Sequence, residues 1–238
     1  MSLQITGLLT QVRETEQSKQ ELYVRSLWSQ INPHMIYNTL NTITYLAEVQ
    51  NIGNIREVSS SFAKLLHTIY NSADEFITVA EEVDFLRAYI AIKKYNTLSD
   101  IDVVFDIHED TMDCLILKLL LQPIVENSIV HGFKDSLGEN RIFVGVALSG
   151  DKLHIEISDN GSGCDERTIA RLLSGEQLHT GNFLRVGLNN VIERLKLHYG
   201  NEAIFKISGV PDRGLSVYIE FPVKIPVVKN VWGGVLLC

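Results

Sequence analysis

Two hydrophobic periods divide this chain. At about 100° per residue, Val24, Leu27, Ile31 and Met35 fall on one apolar face, whereas Ile36, Leu40, Ile43 and Ala47 fall on roughly the opposite one. The stripe changes sides near Pro33, where the missing backbone N–H predicts a kink or a change of packing partner. Upstream, residues 5–23 are polar and glutamine-rich with thinly spaced Ile5, Leu8, Val12 and Leu22, the pattern of an exposed helix that needs a partner. Residues 51–54, containing Gly53, break the pattern, and Ile55, Val58, Phe62, Leu65, Leu66 and Ile69 resume it. Thr78 followed by Glu81 is a capping box that opens a third helix carrying Val83, Leu86, Tyr89 and Ile90.

Beyond residue 100 the period drops to two. Ile101, Val103, Phe105 and Ile107 alternate with polar residues as in a half-buried strand. The pattern then predicts a helix over 115–131 despite Pro123, a hairpin of 142–148 and 153–158 around 149–152, helices over 165–173 and 188–199, and strands at 203–208 and 215–221. The fold class is therefore α+β: a helical part over 1–97, an α/β sandwich with a mixed sheet over 98–222, and an apolar tail over 223–238 to which no role is assigned. The helical hairpin is too thin to bury its own core, which predicts a homodimer closed as a four-helix bundle.

Composition narrows the partners. The chain of 238 residues is 45% hydrophobic and 21% charged, within the range of globular proteins, and its net charge of -8 supplies no basic stripe for nucleic acid. The three cysteines, Cys114, Cys164 and Cys238, have neither metal-ligand nor disulfide-framework spacing, which suits a reducing cytoplasm. No apolar run reaches the roughly 18 to 20 residues needed to cross a bilayer, so no membrane contact is expected of this stretch.

Four groups of residues carry candidate chemistry. Gln30, His34, Asn38 and Asn41 line one polar helix face; a lone histidine there is ordinarily just surface. Glu126, Asn127 and His131 punctuate an otherwise apolar helix and require polar partners. Asp159, Gly161 and Gly163 form an Asp-x-Gly-x-Gly turn at a strand end, where glycines allow backbone to approach a ligand. Arg185, Gly187 and Leu188 stand at an expected helix start, where unpaired amides favour anions.

Each group alone is weak, but their order is specific. An Asn-bearing helix, an Asp-x-Gly-x-Gly turn and a Gly-Leu helix start resemble the N, G1 and G2 boxes of the Bergerat ATP-binding fold. Gln30-Ile31-Asn32-Pro33-His34 with Asn38-Thr39-Leu40 resembles the phosphoacceptor motif of LytS/YesM-type sensor histidine kinases, and residues 121–127 are similar to the N box of that subfamily. The resemblance covers roughly residues 22–222.

It implies that His34 accepts the γ-phosphoryl group of ATP and passes it to an aspartate on a response regulator. It further implies that Asn127 holds Mg²⁺ against the phosphates and that Asp159 accepts from the adenine amino group. Gly161, Gly163 and Gly187 would lie against the nucleotide, His131, Arg185 and Leu188 complete its binding set, and Glu126 would orient or deprotonate at the reacting centre. The full-length protein would be anchored in a bacterial inner membrane by upstream segments, with this part in the cytoplasm. This chain departs from the subfamily at Met35, Val130, Arg185-Val186 and Asn96-Thr97. The departures at Val130 and Arg185 leave open a catalytically degenerate ATP-binding scaffold, and a second alternative is an ATPase of the same fold in which Glu126 activates water.

Overall fold

The computed structural model describes residues 33–71, 74–96, 100–133, 138–174 and 184–225. Expectations for the upstream helix, Gln30 and most of the apolar tail lie outside those residues. The chain forms two compact units, Met1–Leu66 and His67–Cys238.

In the first unit, helix α1 (Pro33–Val49) turns at Asn51 into α2 (Gly53–Asn71). Asn51, not Gly53, takes the left-handed conformation, with φ of 53°, a role asparagine fills because its short polar side chain tolerates that region. Of the predicted stripe Leu40 and Ala47 are buried, Ile36 is half-buried and Ile43 is exposed, and Thr44 and Ser59 hydrogen-bond across the hairpin at 2.9 Å. Much of the remaining apolar surface stays outside: Met35, Leu46, Val49, Ile55 and Phe62 are all exposed.

The second unit, which takes in the last turn of α2, continues with strand β1 (Phe76–Thr78) and helix α3 (Val79–Asn96). The capping box is present: the Thr78 amide donates to Glu81 Oε2 at 2.8 Å and the Glu81 amide donates to Thr78 Oγ1 at 3.2 Å. Helix α3 belongs to this unit, with Val83, Phe85, Leu86, Ala88, Tyr89 and Ile90 buried.

A five-stranded sheet follows, ordered β2 (Ile101–Ile107), β4 (Asn140–Ser149), β5 (Lys152–Asp159), β7 (Leu215–Pro222) and β6 (Ile204–Gly209). Strands β2 and β4 are parallel and every other pair is antiparallel, making the sheet mixed. Its register places Val146 opposite Ile155 and Ile155 opposite Ile219, a continuous row of apolar residues on one face. These side chains are buried together with Leu188, Val191 and Leu195 of helix α6 (Leu184–Tyr199). The alternate positions His154, Glu156 and Tyr218 are more open, as expected when helices cover one face of a sheet.

One element differs from its sequence expectation. Residues 115–131 are not one helix: Leu115–Leu117 is strand β3, paired antiparallel with β1, and the helix α4 begins only at Gln122 and runs to Asn127. Leu119, in left-handed conformation with φ of 58°, breaks the periodicity, and Pro123 sits in the first turn of α4 because it could not continue a helix from upstream. From Ser128 to Gly132 the backbone loosens into a π-helical turn.

Candidate nucleotide site

The π turn changes which side chains face inward at the end of α4. Asn127, Ser128, His131 and Gly132 form one wall of a cavity of about 300 Å³, and Asp159, Ser162, Gly163, Cys164, Thr168 and Leu215 form the rest. Asn127 is buried, and its Oδ1 has no hydrogen-bond partner among the described residues. An unsatisfied buried oxygen costs free energy unless something arrives to use it.

Asp159, at the end of β5, is fixed from three directions. Its Oδ2 accepts from Ser128 Oγ at 2.7 Å, and its Oδ1 accepts from the amides of Gly161 at 2.9 Å and Leu215 at 3.3 Å. Ser128 is a cavity-lining residue that motif reading passed over. The available signal was a serine directly after Asn127 in an apolar helix, which is a polar group that must find a partner inside.

The glycines serve backbone contact. Gly161 packs so closely on Gly132 that a Cβ would overlap the Gly132 carbonyl, while the Ser162 amide donates to that carbonyl at 2.8 Å. Gly163 has φ of 57° and lies against the Val210 carbonyl. Asp165 Oδ1 accepts the Thr168 amide at 2.7 Å, and helix α5 (Glu166–Ser174) begins immediately after it, bringing Thr168 to the cavity.

The remaining sequence candidates take other positions. Glu126 is not among the cavity-lining residues; it lies beside α3, with Oε1 3.8 Å from Lys93 Nζ and Oε2 accepting from Gln122 Nε2 at 3.4 Å. Burial first, and the Glu126 carboxylate second, push the Tyr89 hydroxyl of α3 well above the ordinary tyrosine range. Gly187 lies inside α6, which starts four residues earlier than the pattern predicts, and a Cβ there would stand 3.3 Å from Pro123. Leu188 is buried in the core, and the backbone of Arg185 is in the first turn of α6.

In the other unit, His34, Met35, Asn38, Thr39, Thr42 and Ile43 line a shallow groove. His34 is exposed on α1, its Nδ1 3.3 Å from the side-chain amide of Asn38 one turn later. Thr39 and Thr42 donate their hydroxyls to the carbonyls of Met35 and Asn38 within the helix.

A helical hairpin bearing an exposed histidine, joined to an α/β unit with this cavity, defines a class. Residues 22–101 match the family described as histidine kinase, and residues 112–225 match the family described as histidine kinase-, DNA gyrase B-, and HSP90-like ATPase. The chain belongs to the sensor histidine kinases of the LytS/YesM type.

Its relatives include sensor histidine kinase YpdA of Escherichia coli (strain K12), 34% identical over 83% of this chain and 34% of the relative. Sensor histidine kinase YesM of Bacillus subtilis (strain 168) is 28% identical over 96% of this chain and 38% of the relative. YwpD of the same organism is 32% identical over 88% and 73%. The chain thus spans about a third of the length of the two named kinases. Among solved structures, the histidine kinase domain from Erythrobacter litoralis EL346 blue-light activated histidine kinase overlays with a TM-score of 0.48 at 15% identity, covering 80% of this chain and 93% of that one.

Proposed function

We propose that this chain binds ATP in the Asn127–Asp159 cavity and transfers the γ-phosphoryl group to His34. The imidazole nitrogen bonds to phosphorus, the bond to the bridging oxygen breaks, and ADP leaves. The observation that carries this reading is the pairing of two unlike oxygens in one cavity. Asp159 is a fixed acceptor suited to an exocyclic amino group, and the unpartnered Oδ1 of Asn127 suits a hard cation or its water. Among the described residues no cluster of carboxylates, histidines and cysteines could hold a metal by itself, so the nucleotide phosphates would supply the other ligands. Mg²⁺, when bound, neutralises charge on the phosphates.

The neutral imidazole of His34 needs its lone pair on the attacking nitrogen. Asn38 Nδ2, one turn later, donates to Nδ1 at 3.3 Å and orients the ring on the helix face. In this reading residues 1–97 supply dimerisation and the phosphoacceptor, residues 98–222 supply ATP binding, and a response-regulator aspartate receives the phosphoryl group. The exposed Met35, Leu46, Val49, Ile55 and Phe62 support a homodimer, since a second copy would bury them.

Full-length protein incubated with Mg²⁺ and γ-labelled ATP acquires an acid-labile, alkali-stable phosphate, and His34→Gln abolishes it. Label retained by that variant would move the acceptor elsewhere. The ATPase alternative has less support, because Glu126 faces Lys93 and Tyr89 and lies outside the cavity wall. Glu126→Gln tests whether that carboxylate contributes to the transfer.

A further inference from the structure

Glu82 is the most deeply buried charged side chain among the described residues, with 0% exposure. It lies one turn into α3, yet its carboxylate serves residues nearly forty positions away. Oε2 accepts the amide of Leu119 at 2.8 Å and Oε1 accepts the amide of Leu121 at 2.9 Å. Both amides belong to the turn in which Leu119 is left-handed, immediately before α4.

Helix α4 has no cap of its own. Leu121 occupies the capping position but supplies no side-chain hydrogen bond, and Pro123 lacks an N–H. The carboxylate of a different helix therefore holds the entry to α4. The helix is six residues long, and its last residue is Asn127. A tilt at its start is carried directly to the unpartnered Asn127 oxygen. Farther along α3, Lys93 and Tyr89 face Glu126, so the same helix braces α4 again near its end.

The placement is costly, which argues against a filler role. Burial drives the Glu82 carboxyl up to about 7, even though three backbone amides and Arg194 favour its charged form. An apolar side chain here would avoid that cost, but would leave the Leu119 and Leu121 amides buried without acceptors.

We propose that Glu82 is a positioning residue for the nucleotide site, acting through the Leu119 and Leu121 amides to fix α4 and so the Asn127 oxygen at the phosphate end of the cavity. The adenine end keeps supports that do not run through the start of α4: Asp159 Oδ1 accepts the amides of Gly161, in the turn after β5, and of Leu215 on β7, beside the Ser128 hydroxyl on Oδ2. The inference rests on the ATP-binding reading, and it predicts that the two ends of the ligand respond differently.

The test measures dissociation constants for Mg²⁺-ATP and for adenosine on the full chain, with wild type, Glu82→Gln and Glu82→Leu. Glu82→Gln keeps one acceptor for two amides and weakens Mg²⁺-ATP about tenfold, and Glu82→Leu weakens it further toward about a hundredfold, while adenosine changes by less than about twofold. Thermal melts establish that each variant is folded; if Glu82→Leu is not, Glu82→Gln decides. Unchanged Mg²⁺-ATP affinity in a folded variant overturns the proposal, and so does an equal loss for both ligands, which would mean general loosening. Failure of wild type to bind either ligand instead removes the ATP-binding reading, and this inference with it.

Discussion

Asp159 commits both carboxylate oxygens inside the protein before any ligand arrives. An amide at that position presents one acceptor and one donor, so one of its present partners or the ligand amino group meets the wrong polarity. Losing one such hydrogen bond to a charged group removes about 1.5–3 kcal/mol. Asp159→Asn is therefore expected to weaken ATP binding by roughly 10- to 100-fold, measured by titration calorimetry, with the far-ultraviolet spectrum unchanged. The residues that line this cavity were partly legible because Asp159, Gly161 and Gly163 fall within five positions of one turn and Asn127 stands out in an apolar helix. Ser128 was not, since its role depends on an aspartate 31 positions away and on a π turn that no local pattern announces. Glu126 shows the converse: it adjoins Asn127 in sequence, and one step around a helix turns it to a different neighbour.

Among the elements, α3 and α4 form a pair joined by a buried carboxylate, and their stability should follow its titration. The Glu82 carboxyl rises from an ordinary 4.5 to about 7 in the folded chain. Between those values the folded state holds a proton that the unfolded state has lost. Stability from this group therefore falls as pH rises from about 4.5 to about 7, by on the order of 3 kcal/mol. The neighbouring Arg194 guanidinium favours the charged form of Glu82, but burial outweighs it and the sign stands. Urea unfolding at pH 5 and pH 8 should show the slope in wild type and a flatter one in Glu82→Gln. The capping box of α3 could be read from Thr78 and Glu81 because both partners lie within one turn. The start of α4 could not, because its cap comes from another helix and an apolar run does not reveal where a strand ends and a helix begins.

At the scale of the whole molecule, the divisions by motif and by packing fall in different places. The two matched families meet between residues 101 and 112, whereas the compact units meet between Leu66 and His67. Helix α3 is the segment in dispute, and Val83, Leu86 and Ile90 are buried in the second unit. A fragment of residues 67–225 is expected to melt cooperatively, while one of residues 98–225, stripped of α3, exposes that core and loses the Glu82 acceptors. Scanning calorimetry of the two fragments checks this, and equal cooperative transitions would contradict it. The five strands and their order of appearance follow from alternation in the sequence, but the parallel pairing of β2 with β4 does not, because period two records a buried face and not a neighbour's direction.

The contact between Gly132 and Gly161 bears on how the site becomes available. The end of the Asn127 segment and the turn after Asp159 touch backbone to backbone, with the Ser162 amide bonded to the Gly132 carbonyl and no room for a methyl group between them. Neither wall can fray without unsealing the other. Transient unfolding at this contact therefore removes both ends of the cavity together, and reclosing restores them in one step, whereas a tilt at the start of α4 within the folded state leaves the contact intact.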